Sequence, residues 1–394
     1  MFKTKQFCIS LIIFILLNTF LYIFIIFFNQ VMPFSSFTYL YDAHHYFVDP
    51  RGYHGNFQFL RALGVWDAQW YLRLGDAGYP SKQVFMQHPD PRYMGGLSYA
   101  FSPFYPLVLA CMNIVFHNIE LTAFIVTNLL LLANFFSLYY VITKFCGNHD
   151  IATRTIFLLF LFPFSVFYRS YFTEGLFLLL LIWFAYFLMQ KRWFLTALFL
   201  ALLSVTRPNG IFLAFVLAGS LYVGVRNKTI SFGKAFVCLL VSLIFFQGWL
   251  FFNYVQTGDP MYFYAAESVW FKAPNFFYPL AHNIMTILSF WSLPLHSFHV
   301  SKLDVTTIIV TGILLFMSRK FLKPQLWWIS FIIWIVPLVT KDTMSYTRYQ
   351  IVSFPLFFYL GAKLRGVGFY LFSGIFLVLL LVTSLYFINW YWVG

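Results

Sequence analysis

Charge is what this sequence has least of. Charged residues make up 9% of the 394 positions, only twelve of them acidic, and 61% of the chain is hydrophobic, against roughly a quarter charged in ordinary soluble proteins. That excludes a dispersed soluble fold of this size. Cysteine is equally sparse: Cys8, Cys111, Cys146 and Cys238 lie far apart in or beside apolar stretches, which excludes a disulfide framework and a zinc knuckle. There is no Walker loop, dinucleotide fingerprint or DxD pair. His44 and His45 are adjacent, and His54 and His88 stand alone without ligand spacing, so neither a metal nor another cofactor is assigned. No internal repeat, low-complexity tract or soluble domain is visible, and the missing repeat tells against a transporter built from two halves.

What is present is a succession of apolar stretches, each near the 20 residues that a helix needs to cross hydrocarbon. They predict an all-α polytopic membrane protein, since barrel strands would alternate. The stretch 7–28 has the basic start of a signal peptide but is too long and lacks a small-residue cleavage site, so it reads as a retained span. Further spans are expected near 120–141, 155–169, 174–190, 193–206, 209–225, 234–255, 303–318, 325–340, 348–362 and 366–389. The expected architecture is one transmembrane domain over 1–394 with about eleven spans. A first outer loop at 29–118 carries juxtamembrane or re-entrant helices, and a second outer loop covers 256–300. The proline-broken run 101–116 is left outside the span count.

The net charge of +13 would point to nucleic acid in a soluble protein. Here topology accounts for it. With the N-terminus in the cytoplasm, fourteen of the 25 Lys and Arg and a single acid, Asp150, fall inside, while eleven of the twelve acids fall outside. The basic excess matches the positive-inside rule, which says little about acids. Carboxylates near a membrane are costly and mark sites or partners, so chemistry is expected on the non-cytoplasmic face.

In V-W-D-A-Q-W-Y-L-R-L-G-D-A-G-Y-P (65–80), Trp66, Trp70 and Arg73 fall at helical spacing, predicting an amphipathic interfacial helix. Asp67 near its start either caps that helix or does chemistry. Tyr171 and Glu174 sit at a turn between spans, where Arg169 and Glu174 could simply pair. Arg207, in T-R-P-N-G with Asn209, and Arg348, in S-Y-T-R-Y, stand at other outer turns, where they could snorkel or bind an anion. No one of these signals is specific alone.

Taken in order, the motifs resemble those of the GPI mannosyltransferase II (PIG-V) family and its bacterial relatives, multispan glycosyltransferases of the GT-C type. The residues that carry the resemblance are W-D-A-Q-W-Y-L-R-L-G-D-A-G-Y at 66–79, F-S-P-F-Y-P-L at 101–107, Y-F-T-E-G-L-F at 171–177 and T-R-P-N-G at 206–210. T-G-D-P at 257–260 and T-R-Y-Q-I-V-S-F-P-L at 347–356 are similar to later parts of the bacterial members. The chain departs from the pattern at Gly75, Asp76 and Gly175.

The resemblance implies a GT-C-like bundle that takes a sugar from a polyprenyl-phosphate donor, by inversion and without a metal, to a lipid or glycan acceptor. Asp67 is then the candidate base and Glu174 its reserve. Arg207 and Arg348 are candidates for the donor phosphate, with Asn209, Trp66, Tyr71, Arg73 and Tyr171 lining the substrate site. Partners are the lipid-linked donor, the acceptor and membrane lipids, with no nucleic acid. Richness in Phe, Ile and Tyr points to a bacterial plasma membrane rather than the endoplasmic reticulum. The competing expectations are a GT-C enzyme acting on protein or lipid A, a lipid or glycan transporter, and a scaffold without activity.

Overall fold

The structure is a computed structural model that describes residues 5–42, 45–87, 94–270, 278–295, 301–341 and 343–394. His44 and His88 lie outside the described residues. Every regular element among those described is helical. Among the described residues, five helices are long and apolar enough to cross a membrane: Lys5–Phe28, Ile119–Cys146, Pro208–Arg226, Phe232–Thr257 and Gly366–Ile388. Their outward faces expose large apolar side chains, among them Leu16 and Phe27, Phe236 and Ile244, and Leu371 and Val378. Apolar surface on that scale is untenable in water and suits lipid. In Lys5–Phe28 the buried residues Phe7, Ser10, Phe14, Asn18, Leu21 and Ile25 recur every three or four positions, so one seam faces the bundle while the rest faces outward. The chain is therefore an α-helical, multi-pass membrane protein.

Four shorter apolar helices, Phe104–Phe116, Glu174–Met189, Trp193–Thr206 and Pro324–Thr340, complete much of the bundle. The first has 13 residues and is roughly 20 Å long at about 1.5 Å per residue, short of the ~30 Å hydrocarbon core. It packs on Ala68–Ala77. Sharp turns join neighbours: Asn148 caps His149–Leu161 by accepting the Ile151 N–H, and Gly147 at φ 66° ends the helix before it, a conformation glycine adopts without steric cost.

Two spans expected as single helices are interrupted. The stretch 155–169 is instead the His149–Leu161 helix followed by a buried 3₁₀ turn, Ser165–Tyr168. Pro163 disfavours helical backbone at the residue before it, and Phe162 is extended at φ −52°, ψ 137°. Arg169 repairs the break: fully buried, it donates to the Phe160 carbonyl, to Ser165 and to Asn18 Oδ1. The expected Arg169–Glu174 pair is thus replaced by a helix-end repair. The second interruption divides 348–362 into Tyr346–Gln350 and Phe354–Lys363, with Pro355 in the first turn of the latter. The apolar piece after 278 forms an 11-residue helix, Tyr278–Leu288, again too short to span.

The described residues of 29–102 fold largely as short helices against one end of the bundle. Arg61 pairs with Glu120, Tyr171 Oη donates to the Leu60 carbonyl at 3.0 Å, and Trp390 Nε1 donates to Asp49 at 3.2 Å. These links tie the segment to the bundle, and the Ala68–Ala77 helix itself packs on Phe104–Phe116 and Ile119–Cys146.

Candidate active site

Seven of the ten residues in Ala68–Ala77 are buried, Trp70 and Tyr71 among them, so the helix is a core element and does not lie on a membrane surface by its tryptophans. Trp70 stacks on Phe101 with centroids 5.5 Å apart. At Gly75, where the resembled pattern has alanine, an added Cβ would lie 2.8 Å from the Leu109 side chain, which explains the absence of a side chain there. Trp66 stands before the helix at φ 59°, a left-handed backbone unusual for a bulky residue and costing about 1–3 kcal/mol. Its ring packs against Trp392 and Trp390, at 5.1 and 5.6 Å between centroids.

That turn delivers Asp67 to the helix start, where its side chain makes no capping hydrogen bond. The carboxylate instead accepts from Arg348 Nη1 at 2.7 Å, with its side chain 32% exposed. The capping expectation is therefore replaced by a long-range ion pair. Arg348 does not snorkel: 6% exposed, it reaches Asp67 with Nη1 and Glu174 with Nε. Its guanidinium carbon also lies 4.4 Å from the Phe172 ring centroid. Arg207, expected at a free turn, donates from Nη1 to the same Glu174 oxygen, Oε1, at 2.5 Å.

Glu174 is fully buried at the start of Glu174–Met189, where a helix N-terminus favours an anion. Burial opposes the charge on Arg348, but the Glu174 and Asp67 carboxylates outweigh it and hold the guanidinium above its ordinary pKa. The same opposition, won by Glu174, raises Arg207. Both groups are therefore fixed cations.

Between these elements lies a cavity of about 300 Å³, within the lower range of small-molecule sites. Trp66, Asp67, Tyr71, Arg207, Asn209 and Arg348 all line it. The turn bearing Arg207 and Asn209 is tight because Pro208 starts a 3₁₀ helix and Gly210 lies against the preceding helix end, where a Cβ would meet the Leu203 carbonyl oxygen at 2.5 Å. Of the other residues expected from the sequence, Glu174 sits behind the cavity wall. Tyr171 is a buried strut to Leu60. Arg73 points elsewhere, its guanidinium 5.4 and 5.7 Å from the ring centroids of Tyr46 and Trp70.

Sequence reasoning missed Lys341, Tyr349, Glu267 and Trp392, all of which line the cavity. Lys341 and Tyr349 flank Arg348 in one connection, a signal that spacing alone could have offered. Glu267 and Trp392 belong to no motif. Among the described residues, no group of three His, Cys, Asp or Glu is arranged to hold a metal ion.

Comparison of the chain with protein-family models, with curated proteins and with solved structures finds no match.

Proposed function

We propose that this protein is a membrane glycosyltransferase that moves a sugar, mannose by the motif resemblance, from a polyprenyl phosphate to a lipid or glycan acceptor. One observation carries the reading. Three sequence motifs far apart in the chain supply a carboxylate, Asp67, and two guanidiniums, Arg207 and Arg348, to a single cavity. In the proposed reaction the acceptor oxygen attacks the anomeric carbon from the face opposite the phosphate. Its proton passes to Asp67. The bond from the anomeric carbon to the phosphate oxygen breaks, its electron pair stays on that oxygen, and the sugar is inverted.

A phosphodiester carrying one negative charge thereby becomes a monoester carrying up to two. The charge that develops is met by guanidiniums that can each offer paired hydrogen bonds. Glu174 acts as a positioning residue in this scheme, because its carboxylate is enclosed and shared by both arginines. Since cations of the chain itself face the leaving group, transfer is proposed to need no divalent metal.

The proposed topology is a GT-C-like bundle of about eleven spans. The charged cavity gathers helix ends and connections at one end, including the start of Glu174–Met189, the end of Trp193–Thr206 and the end of Pro324–Thr340. Basic turns such as Arg319, Lys320 and Lys323 follow the other ends of the same or neighbouring helices. The positive-inside rule then supports a cavity on the non-cytoplasmic face, in a bacterial plasma membrane by composition.

The test is to incubate purified protein with polyprenyl phosphate mannose, labelled in the sugar, and a membrane extract. Label should enter an acceptor and polyprenyl phosphate should be released. If no labelled acceptor forms from this or other polyprenyl-phosphate sugars, the enzyme reading fails.

A further inference from the structure

Six charged side chains meet around the cavity, and their charges cancel. Arg207 and Arg348 share Glu174, Arg348 also holds Asp67, and Lys341 pairs with Glu267 at 3.0 Å. A phosphate entering a set that is already neutral gains little unless it takes the place of a carboxylate on one of the cations. Glu174 cannot leave, being fully enclosed. Asp67 is fixed at the start of a core helix. Glu267 is partly exposed at 15%, unlike Glu174, and it differs from the more exposed Asp67 in its element: it is the last residue of Tyr262–Glu267, a six-residue helix in the second outer segment and not part of a core helix.

Its partner is well situated to bind what replaces it. Lys341 Nζ lies 3.4 Å from Tyr349 Oη and 5.7 Å from the centroid of that ring, while the Arg207 guanidinium carbon lies 4.8 Å from the same centroid. Two cations thus border one tyrosine on the cavity wall. Burial opposes the charge of Lys341, but Glu267 outweighs it and keeps the ammonium protonated. From Arg207, Asn209 and Tyr349 a narrow crevice continues away from the charges between Phe177, Leu213, Ile333 and Val336. The crevice encloses about 30 Å³, so it offers a phosphate bound beside Tyr349 apolar contact for the first atoms of an attached chain and no more.

We propose that Lys341 is a third phosphate-binding cation and that Glu267 is its exchangeable counter-ion. The phosphate of a lipid-linked monophosphate displaces the Glu267 carboxylate from Lys341 and so releases the Tyr262–Glu267 helix from the end of Pro324–Thr340. The inference rests on the reading of the cavity as a polyprenyl-phosphate site. It adds a reason for the exchange to follow the reaction: the extra negative charge of the departing monoester is what makes replacement of Glu267 favourable.

Binding of undecaprenyl phosphate to the purified full-length protein in detergent tests this. Lys341→Gln should weaken binding at least about tenfold, the scale of one hydrogen bond to a charged group. Glu267→Gln should tighten it, measured at mildly acidic pH so that Lys341 keeps its proton without the Glu267 carboxylate, because no carboxylate has to be displaced. The double variant should bind like Lys341→Gln alone. The sign of the Glu267→Gln effect is decisive even if the lysine variant fails to fold: a merely structural ion pair predicts weaker binding, and that result would overturn the proposal. Inorganic phosphate, which lacks the apolar chain, should bind far more weakly; equal affinity would overturn the lipid assignment. Sugar transfer is measured on the same preparation. Binding with the expected signs but without transfer sinks the enzyme reading and leaves the counter-ion exchange standing, whereas a wild-type protein that binds no undecaprenyl phosphate sinks both.

Discussion

Asp67 and Arg348, 281 positions apart in the chain, are joined by an ion pair of 2.7 Å across the candidate site. The pair fixes the carboxylate at the cavity wall while the other side of the same guanidinium is occupied by Glu174. The carboxylate proposed as proton acceptor and the guanidinium proposed as phosphate ligand are thus set in one unit, and the consequences of cutting that unit at different points are distinct.

Asp67→Asn keeps the size of the side chain and an oxygen that can accept from Arg348, but the amide cannot take the proton of an acceptor hydroxyl. Transfer should fall by at least about a hundredfold, the lower range for loss of acid–base help, with undecaprenyl phosphate binding retained. A labelled-sugar assay checks the first part and a binding assay the second. Near-normal turnover in this variant would remove Asp67 from the base role.

Glu174→Gln is expected to act on stability as well as on rate. It leaves two buried guanidiniums facing a neutral amide, and breaking a buried ion pair from one side costs about 3–5 kcal/mol. Thermal unfolding in detergent should shift downward clearly, while Asp67→Asn, at a partly exposed carboxylate, should shift it much less. A Glu174→Gln protein that is fully stable yet inactive would instead make Glu174 the proton acceptor.

Arg207→Lys and Arg348→Lys keep the charge but lose the planar fork that binds a carboxylate and a phosphate oxygen together. Both should weaken donor binding, measured as a higher KM, and Arg348→Lys should lower kcat as well because it also loosens Asp67. Both guanidiniums are held above their ordinary pKa values, so they stay charged across the physiological pH range and changes of pH there do not mimic the substitutions. Transfer should persist in EDTA; its loss, restored by a divalent cation, would refute the metal-free scheme.

Gly361→Val tests the packing of the bundle away from the site. A Cβ at this position would meet Thr155 Oγ1 at 2.5 Å and Thr155 N at 2.8 Å, and the Gly361 carbonyl accepts from Arg154 Nε at 2.7 Å. Overpacking of this kind costs about 1–3 kcal/mol. The thermal midpoint should fall while the ratio of the two substrate KM values stays unchanged.

Topology is checked by labelling single cysteines in intact cells. Lys82→Cys, in the first outer segment, should react with an impermeant maleimide and Lys320→Cys should not. The reverse pattern would turn the proposed cavity toward the cytoplasm.

The amino-acid sequence by itself determined the class of this protein. With 9% charge and 61% hydrophobic residues, the chain had no alternative to a helical membrane bundle, because backbone polar groups in hydrocarbon must be satisfied within the segment. Part of the cavity was legible as well: Asp67, Arg207 and Arg348 drew notice as charges at the ends of apolar runs or beside them, and Asn209 through the motif it shares with Arg207. What the sequence could not decide was which charge meets which. Arg169 and Glu174 are five residues apart and looked like a pair, yet Pro163 opened a helix end whose carbonyls claimed the arginine. Glu174 was left to Arg207 and Arg348, contributed by other helices. Local spacing governs helix starts and breaks, but the partner of a buried charge is chosen by whichever counter-charge the packed bundle brings within hydrogen-bond reach. For the same reason Glu267 and Lys341, unremarked in the linear chain, became visible as part of the site only when the Tyr262–Glu267 helix was brought to the end of Pro324–Thr340.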